Sequence, residues 1–268
     1  KETFGFEVTY LPVYADGTIH LEDLKKALRK DTILVSMMLV NNETGAINPI
    51  KECAAYVHAY SRAVFHMDGV QGLGKIPISL HDVDMATFSA HKIYGLKGSA
   101  ILYKKRNIEL LPLLSGGQQE QGLRAGTSNA PTNIVFAKTL RLALEEQEKA
   151  YQYVQELNIY LRREIENIED MVINSPADAS CFILNFSDLK IGSEVMLNAL
   201  NAKGFCVSAQ STCSSKSKAI SHVLLAMGLG EVRATHAIRV SLSHMTTKDE
   251  VEKFIKALKE IHHDYRTK

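Results

Sequence analysis

The sequence predicts an α/β fold, with a mainly parallel sheet between layers of helices. Three observations carry this. Short apolar runs alternate with helical stripes through residues 1–103. One run, TILVSMMLV at 32–40, is continuously apolar, the pattern of a strand covered on both faces. Polar residues fit for chemistry follow the runs at 41–45, 68–72 and 89–94. Ligands of such sheets bind beyond the carboxyl ends of the strands.

Taken in order, residues 6–13 read as a strand, and HLEDLKKALRK sets Leu21, Leu24 and Leu28 on one helical face. After the apolar run, Ile50, Cys53, Ala54 and Val57 form a second helical stripe. AVFHM and VDMATFS are further short strands. Residues 137–168 read as one long amphipathic helix, with Leu140, Leu144, Tyr151, Val154, Leu157 and Leu161 on its stripe. CFILNF, FCVS and IRVSL follow as strands, and Ser193 and Gly204 mark the two ends of another helix. Thr247 and Glu250 form a capping box for a last helix that buries Val251, Phe254, Leu258 and Ile261. His262 and His263 read as its solvated end. Two domains are expected, residues 1–147 and 148–268, the second a smaller α+β domain.

Composition excludes several classes. The 268 residues carry Lys+Arg 31 against Asp+Glu 30, so no nucleic-acid partner is indicated. No apolar run approaches the roughly 20 residues of a membrane span. Four cysteines do not make a disulfide scaffold, and free thiols in a reducing cytoplasm are the better reading. Cys53, Cys181 and Cys206 lie in apolar patterns and read as core. Cys213 differs, because VSAQSTCSSKSKAIS surrounds it with Ser, Lys, Thr and Gln. No cysteine and histidine spacing matches a metal site.

Lys92, in FSAHKIYGLKG, follows a strand and precedes a turn. An amine there can lose its proton through burial and form a Schiff base, or it can be an ordinary surface lysine. Asp68 and Gln71, in FHMDGVQGLGK, follow another strand. A carboxylate in that place can pair with a protonated ring nitrogen, or can simply hold a turn. The stretch SGGQQEQGLRAGTSN, with Arg124 and Thr127, offers backbone N–H groups and a hydroxyl to a phosphate.

In this order and spacing the segments resemble the pyridoxal-phosphate-dependent cysteine desulfurases, of the group whose catalytic cysteine lies on a long loop. NNETGAINPI, HMDGVQGLGKIPI, SAHKIYGLKG, GGQQEQGLRAGT, STCSSKSKAISHVLLAMGL and AIRVSLS carry the likeness, and it runs over essentially the whole chain. The resemblance implies a fold-type I pyridoxal-phosphate enzyme that converts L-cysteine to L-alanine and leaves a persulfide on Cys213. It implies Lys92 as the Schiff-base lysine, with Asp68 on the pyridine nitrogen and Gln71 on the ring hydroxyl. Asn41 would touch the ring oxygen and the substrate carboxylate. Ser89 and His91 would bind the cofactor phosphate, and Thr127 would reach the phosphate of a neighbouring subunit, making a homodimer. Arg239 would hold the carboxylate of the substrate. The sulfur would pass to an acceptor protein, such as an iron–sulfur scaffold or a tRNA-thiolation enzyme.

Leu96, Ser115 and the pair Ala209 and Gln210 depart from the usual text of that family, at positions without an assigned role. In the family roughly the first hundred residues carry a Thr-containing phosphate loop and a His that stacks on the ring. No matching text precedes residue 41, so an N-terminal third is expected to be missing and the cofactor to be held weakly. Two other readings stay open: another pyridoxal-phosphate enzyme, such as a selenocysteine lyase or an aminotransferase, and an inactive fragment that keeps partner binding. A mobile thiol at Cys213 has no use in a transaminase.

Overall fold

The computed structural model describes residues 5–209 and 220–266. It divides into two compact units, one of Arg29–Leu39 and Ile50–Gln147, the other of Lys1–Leu28, Val40–Pro49 and Glu148–Lys268.

The first unit is built on four strands, β1 (Leu34–Met38), β2 (Val64–Asp68), β3 (Met85–Ser89) and β4 (Ala100–Lys104), in that spatial order. β1, β2 and β3 are parallel, and β4 returns antiparallel to β3. Alternation along the strands sets Val35, Met37, Phe65, Met67, Ala86 and Phe88 on one face, where they are buried. Helix α2 (Ile50–Tyr60) brings Cys53, Ala54 and Val57 into the core of this unit, as the stripe predicted. The opposite face carries Leu34, Ser36, Met38, His66, Asp68, Thr87 and Ser89. The expectation that β1 is covered on both sides is corrected, since Leu34 is 53% exposed and Met38 is also exposed. A continuous apolar run tells what a strand can bury, not what lies against it.

The second unit holds an antiparallel sheet of β5 (Met171–Ile173), β6 (Ile183–Asp188), β7 (Ser208–Ala209) and β8 (Ala237–Ser241), ordered β5-β6-β8-β7. Helices α4 (Gln147–Glu166), α5 (Ser193–Ala202) and α8 (Lys248–Arg266) pack their apolar faces on it, joining Val154, Leu161, Phe186, Leu200, Ile238 and Leu258 in one core. The capping box of α8 forms as expected: Thr247 N–H donates to Glu250 Oε2 at 2.7 Å, and Glu250 N–H to Thr247 Oγ1 at 3.2 Å.

Several local expectations are overturned. Residues 6–13 are extended but join no ladder, and Phe6, Val8 and Tyr10 are exposed. The long helix is two, α3 (Ala130–Glu145) and α4, with Glu146 capping the first. The side chain of Gln147 turns back to donate to Ile76 O at 2.9 Å, which fixes the break. Ser193 is the first residue of α5 rather than its cap, a place taken by Gly192 with no side-chain bond. Cys206 is exposed, not core. His262 is 6% exposed, and its Nδ1 lies 2.6 Å from Asp188 Oδ2.

Candidate active site

In the first unit the chemistry-bearing residues collect at the carboxyl ends of two neighbouring parallel strands. Asp68 ends β2, directly opposite Thr87 of β3. Ser89 ends β3, and the chain turns at once into a short 3-10 turn, Ala90–Ile93, that carries His91 and Lys92. Tyr94 closes that turn in the left-handed region at φ 66°, with its N–H on Ala90 O. The next residue must be glycine, because a Cβ on Gly95 would stand 2.9 Å from Ala90 O. The Tyr-Gly pair therefore sets where Lys92 leaves the strand. Lys92 is half-buried, and its amine has no hydrogen bond or ion pair among the described residues.

Asp68 serves both of its readings. Its Oδ1 accepts the N–H of Val70 at 3.0 Å, the local turn, while Oδ2 has no protein partner among the described residues. Gln71 Oε1 accepts from Lys75 Nζ at 3.2 Å, which leaves its amide N–H groups for a ligand. Thr127 is exposed on the Gly-rich loop, as is Arg124, whose guanidinium donates to Ala125 O.

In the second unit, Asn41 is buried in a tight loop. Its Oδ1 accepts from the N–H groups of Glu43 (2.8 Å) and Thr44 (3.0 Å). Gly45 at φ 79° closes the loop, its N–H on Asn41 O. Arg239, on β8, donates from Nη1 to Asn42 O at 2.8 Å and from Nη2 to Ser208 Oγ at 3.1 Å. Its Nε is buried without a partner among the described residues. A buried N–H left unpaired is costly, and an incoming carboxylate relieves that cost. Cys213 lies outside the described residues.

Some neighbours of these residues were not singled out in the sequence. Glu43 is 4% exposed, and its Oε2 accepts from Ser221 Oγ at 2.6 Å. Burial pushes its carboxyl above the usual carboxylate range, against the hydrogen bond from Ser221 and the charges of His222 and Arg239. Ser221 also caps α6 (His222–Ala226), accepting from Leu224 N–H, so the loop of Asn41 is tied to the start of that helix. His66 stands on β2 two residues before Asp68, on the same face. The signal for it was the strand alternation in VFHMD.

The free amine of Lys92, the open oxygen of Asp68 and the amide of Gln71 fit pyridoxal phosphate: a carbonyl carbon for the amine, a ring nitrogen for the carboxylate and a phenolic oxygen for the amide. Fold and donor set together define the class of fold-type I pyridoxal-phosphate enzymes. A family model described as aminotransferase class-V matches residues 1–254. A relative named cysteine desulfurase IscS, from Dictyoglomus turgidum, is 41% identical over 270 residues, or 99% of this chain and 68% of its own. The solved structure of a NifS-like protein superposes with a TM-score of 0.91 at 37% identity, covering 98% of this chain and 70% of that one. Another, titled SspA in complex with cysteine, gives 0.74 at 32% identity, over 92% and 69%. The chain belongs to the aminotransferase class-V family, and its relatives there are cysteine desulfurases. Its cofactor is the pyridoxal phosphate of that family.

Proposed function

We propose that this chain is a cysteine desulfurase in which Lys92 anchors the cofactor and Cys213 takes the sulfur. The observation that carries the reading is the placing of a half-buried lysine one strand away from a carboxylate oxygen, both without partners among the described residues. Asp68 would pair with the pyridine nitrogen, Gln71 with the ring hydroxyl, and Ser89 and His91 with the phosphate. Arg239 would hold the carboxylate of L-cysteine through its unpartnered Nε, beside Asn41. Pyridoxal phosphate, when bound, withdraws electrons from the substrate α-carbon. Lys92 would be the base that takes the α-proton and later returns it. The thiolate of Cys213 then attacks the substrate sulfur. A sulfur–sulfur bond would form and the carbon–sulfur bond would break with its electron pair on carbon; a proton taken up at that carbon, with return of the α-proton from Lys92, would give alanine. The persulfide left on Cys213 passes to an acceptor protein.

Burial pushes Cys53 and Cys181 up to about 11, Glu52 adding to the effect at Cys53, so neither supplies a ready thiolate. That narrows the nucleophile to Cys206 and Cys213, and the resemblance assigns the role to Cys213. The reading includes a homodimer in which Thr127 reaches the phosphate held by the neighbouring copy. It also includes a cytoplasmic setting that keeps the thiols reduced, and a domain division near residue 147. The test adds pyridoxal phosphate and L-cysteine to the full chain. Alanine is expected in equal amount to an alkylatable persulfide on Cys213. Cys213→Ala abolishes both products but keeps the visible cofactor band, which Lys92→Ala removes. Alanine formation undiminished in Cys213→Ala refutes the assignment.

A further inference from the structure

On the exposed face of the first sheet, His66 is the one titratable side chain flanked on both sides by hydroxyls among the described residues. Its Nδ1 lies 2.8 Å from Ser36 Oγ and its Nε2 lies 3.3 Å from Thr87 Oγ1. The strand register makes this a built arrangement. Ser36 is directly opposite His66 on β1. Thr87 is directly opposite Asp68 on β3 and reaches back two residues in register to the ring. Two residues apart on one strand, His66 and Asp68 point the same way. The ring is thus held from β1 and β3 by neutral hydroxyls, and Asp68 of β2 is the charged group that acts on it.

Burial disfavours the imidazolium, Asp68 opposes that effect, and the balance holds His66 below the ordinary histidine range. Near pH 7 the ring is therefore neutral. A neutral ring fills the space beside the carboxylate without competing for its charge. A cation in the same place would compete. Opposite charges roughly 4–7 Å apart, the range open to side chains two residues apart on one strand, interact strongly enough to change a binding constant about tenfold or more.

We propose that His66, clamped between Ser36 and Thr87, is a positioning residue that keeps the carboxylate of Asp68 available to the pyridine nitrogen of pyridoxal phosphate. This rests on the role given to Asp68 above. It differs from a packing role because the neutrality of the ring matters as much as its volume.

The test uses the full chain titrated with pyridoxal phosphate and followed by its visible absorption. His66→Arg places a permanent cation beside Asp68, and is expected to weaken cofactor binding about tenfold. It is also expected to raise the pH midpoint of the visible band, because a ring nitrogen that loses its carboxylate partner loses its proton more easily. His66→Gln can still bridge the two hydroxyls, and is expected to recover most of both effects. Equal losses in the two variants, or none in either, overturn the proposal. A second measurement needs neither cofactor nor the arginine variant. The His66 ring is titrated by NMR in the wild-type chain and in Asp68→Asn. Removing the carboxylate is expected to lower the His66 midpoint, and an unchanged midpoint overturns the proposal. If the wild-type chain shows no cofactor band, the reading of Lys92 as anchor fails, and the NMR titration decides on His66 by itself.

Discussion

Replacing Asp188 by alanine should be among the most damaging single changes in the second unit. The residue is 1% exposed at the end of β6. Its Oδ1 accepts the N–H groups of Lys190 (2.8 Å) and Ile191 (3.0 Å), and Oδ2 pairs with His262 Nδ1 (2.6 Å) on α8. Alanine takes away both acceptor oxygens and with them all three hydrogen bonds. The N–H of Lys190 is part-buried and can turn to water, while those of Ile191 and His262 are buried. Each buried donor left unpaired costs about 1–3 kcal/mol, and breaking a buried polar pair on one side costs about 3–5 kcal/mol. We expect Asp188→Ala to lose about 3–5 kcal/mol. His262→Leu keeps the two backbone bonds but leaves Asp188 Oδ2 buried without its ring donor, so it should lose a comparable amount. Urea unfolding of the full chain, with a double-mutant cycle over both positions, measures this. The cycle should return a coupling of about 1–3 kcal/mol. A loss under about 1 kcal/mol in Asp188→Ala would refute the argument, because the buried donors would then have found other partners.

Three further outcomes are expected. Arg239→Lys gathers its donors on one nitrogen and cannot span Asn42 O, Ser208 Oγ and a carboxylate as the three guanidinium nitrogens can, so the KM for L-cysteine should rise about ten- to a hundredfold with a smaller change in kcat; an unchanged KM would place the substrate carboxylate elsewhere. Burial works to raise the carboxyl of Asp84, but hydrogen bonds from the Phe65 N–H, His58 and Lys105 outweigh it and hold the group low. The stability this contributes is present above the ordinary carboxylate range, about pH 4, and is lost as pH falls through the lowered value. The stability gap between wild type and Asp84→Asn should therefore narrow on acidification, and a gap that widens below pH 4 would contradict the geometry. Iodoacetamide on the native chain should label exposed Cys206 well before Cys53 or Cys181, as peptide mapping would show.

The helices were legible where one local pattern sufficed. The spacing of Cys53, Ala54 and Val57 and the pair Thr247 and Glu250 each specify their element within a few residues. His262 was misread from its polar neighbours, although it falls one turn after Leu258 on the apolar stripe of α8. The break at Glu146 has no proline or glycine to announce it, and depends on a side chain reaching Ile76, 71 residues away in sequence. The site shows the same divide. The places of Asp68, Ser89 and Lys92 at or just after strand ends were legible, because short motifs mark them. Their neighbours Ser36, His66 and Thr87 come together only through the register of three strands. Glu43 and Ser221, 178 residues apart, meet only in the folded unit.

The tight loop of Asn41 carries a cost in time. It is fastened by the amide of Asn185 on the carbonyl of Glu43, across 142 residues, and by Ser180 N–H on Gly45 O. A ribosome adding about 5–20 residues per second needs on the order of ten seconds to go from one side of that contact to the other. Part-way through that interval, once Lys104 is made, the sheet of β1 to β4 has all its strands, while the buried acid of Glu43 still has no core to enter. The loop given the substrate-binding role is thus finished late in synthesis, when the second unit closes around it.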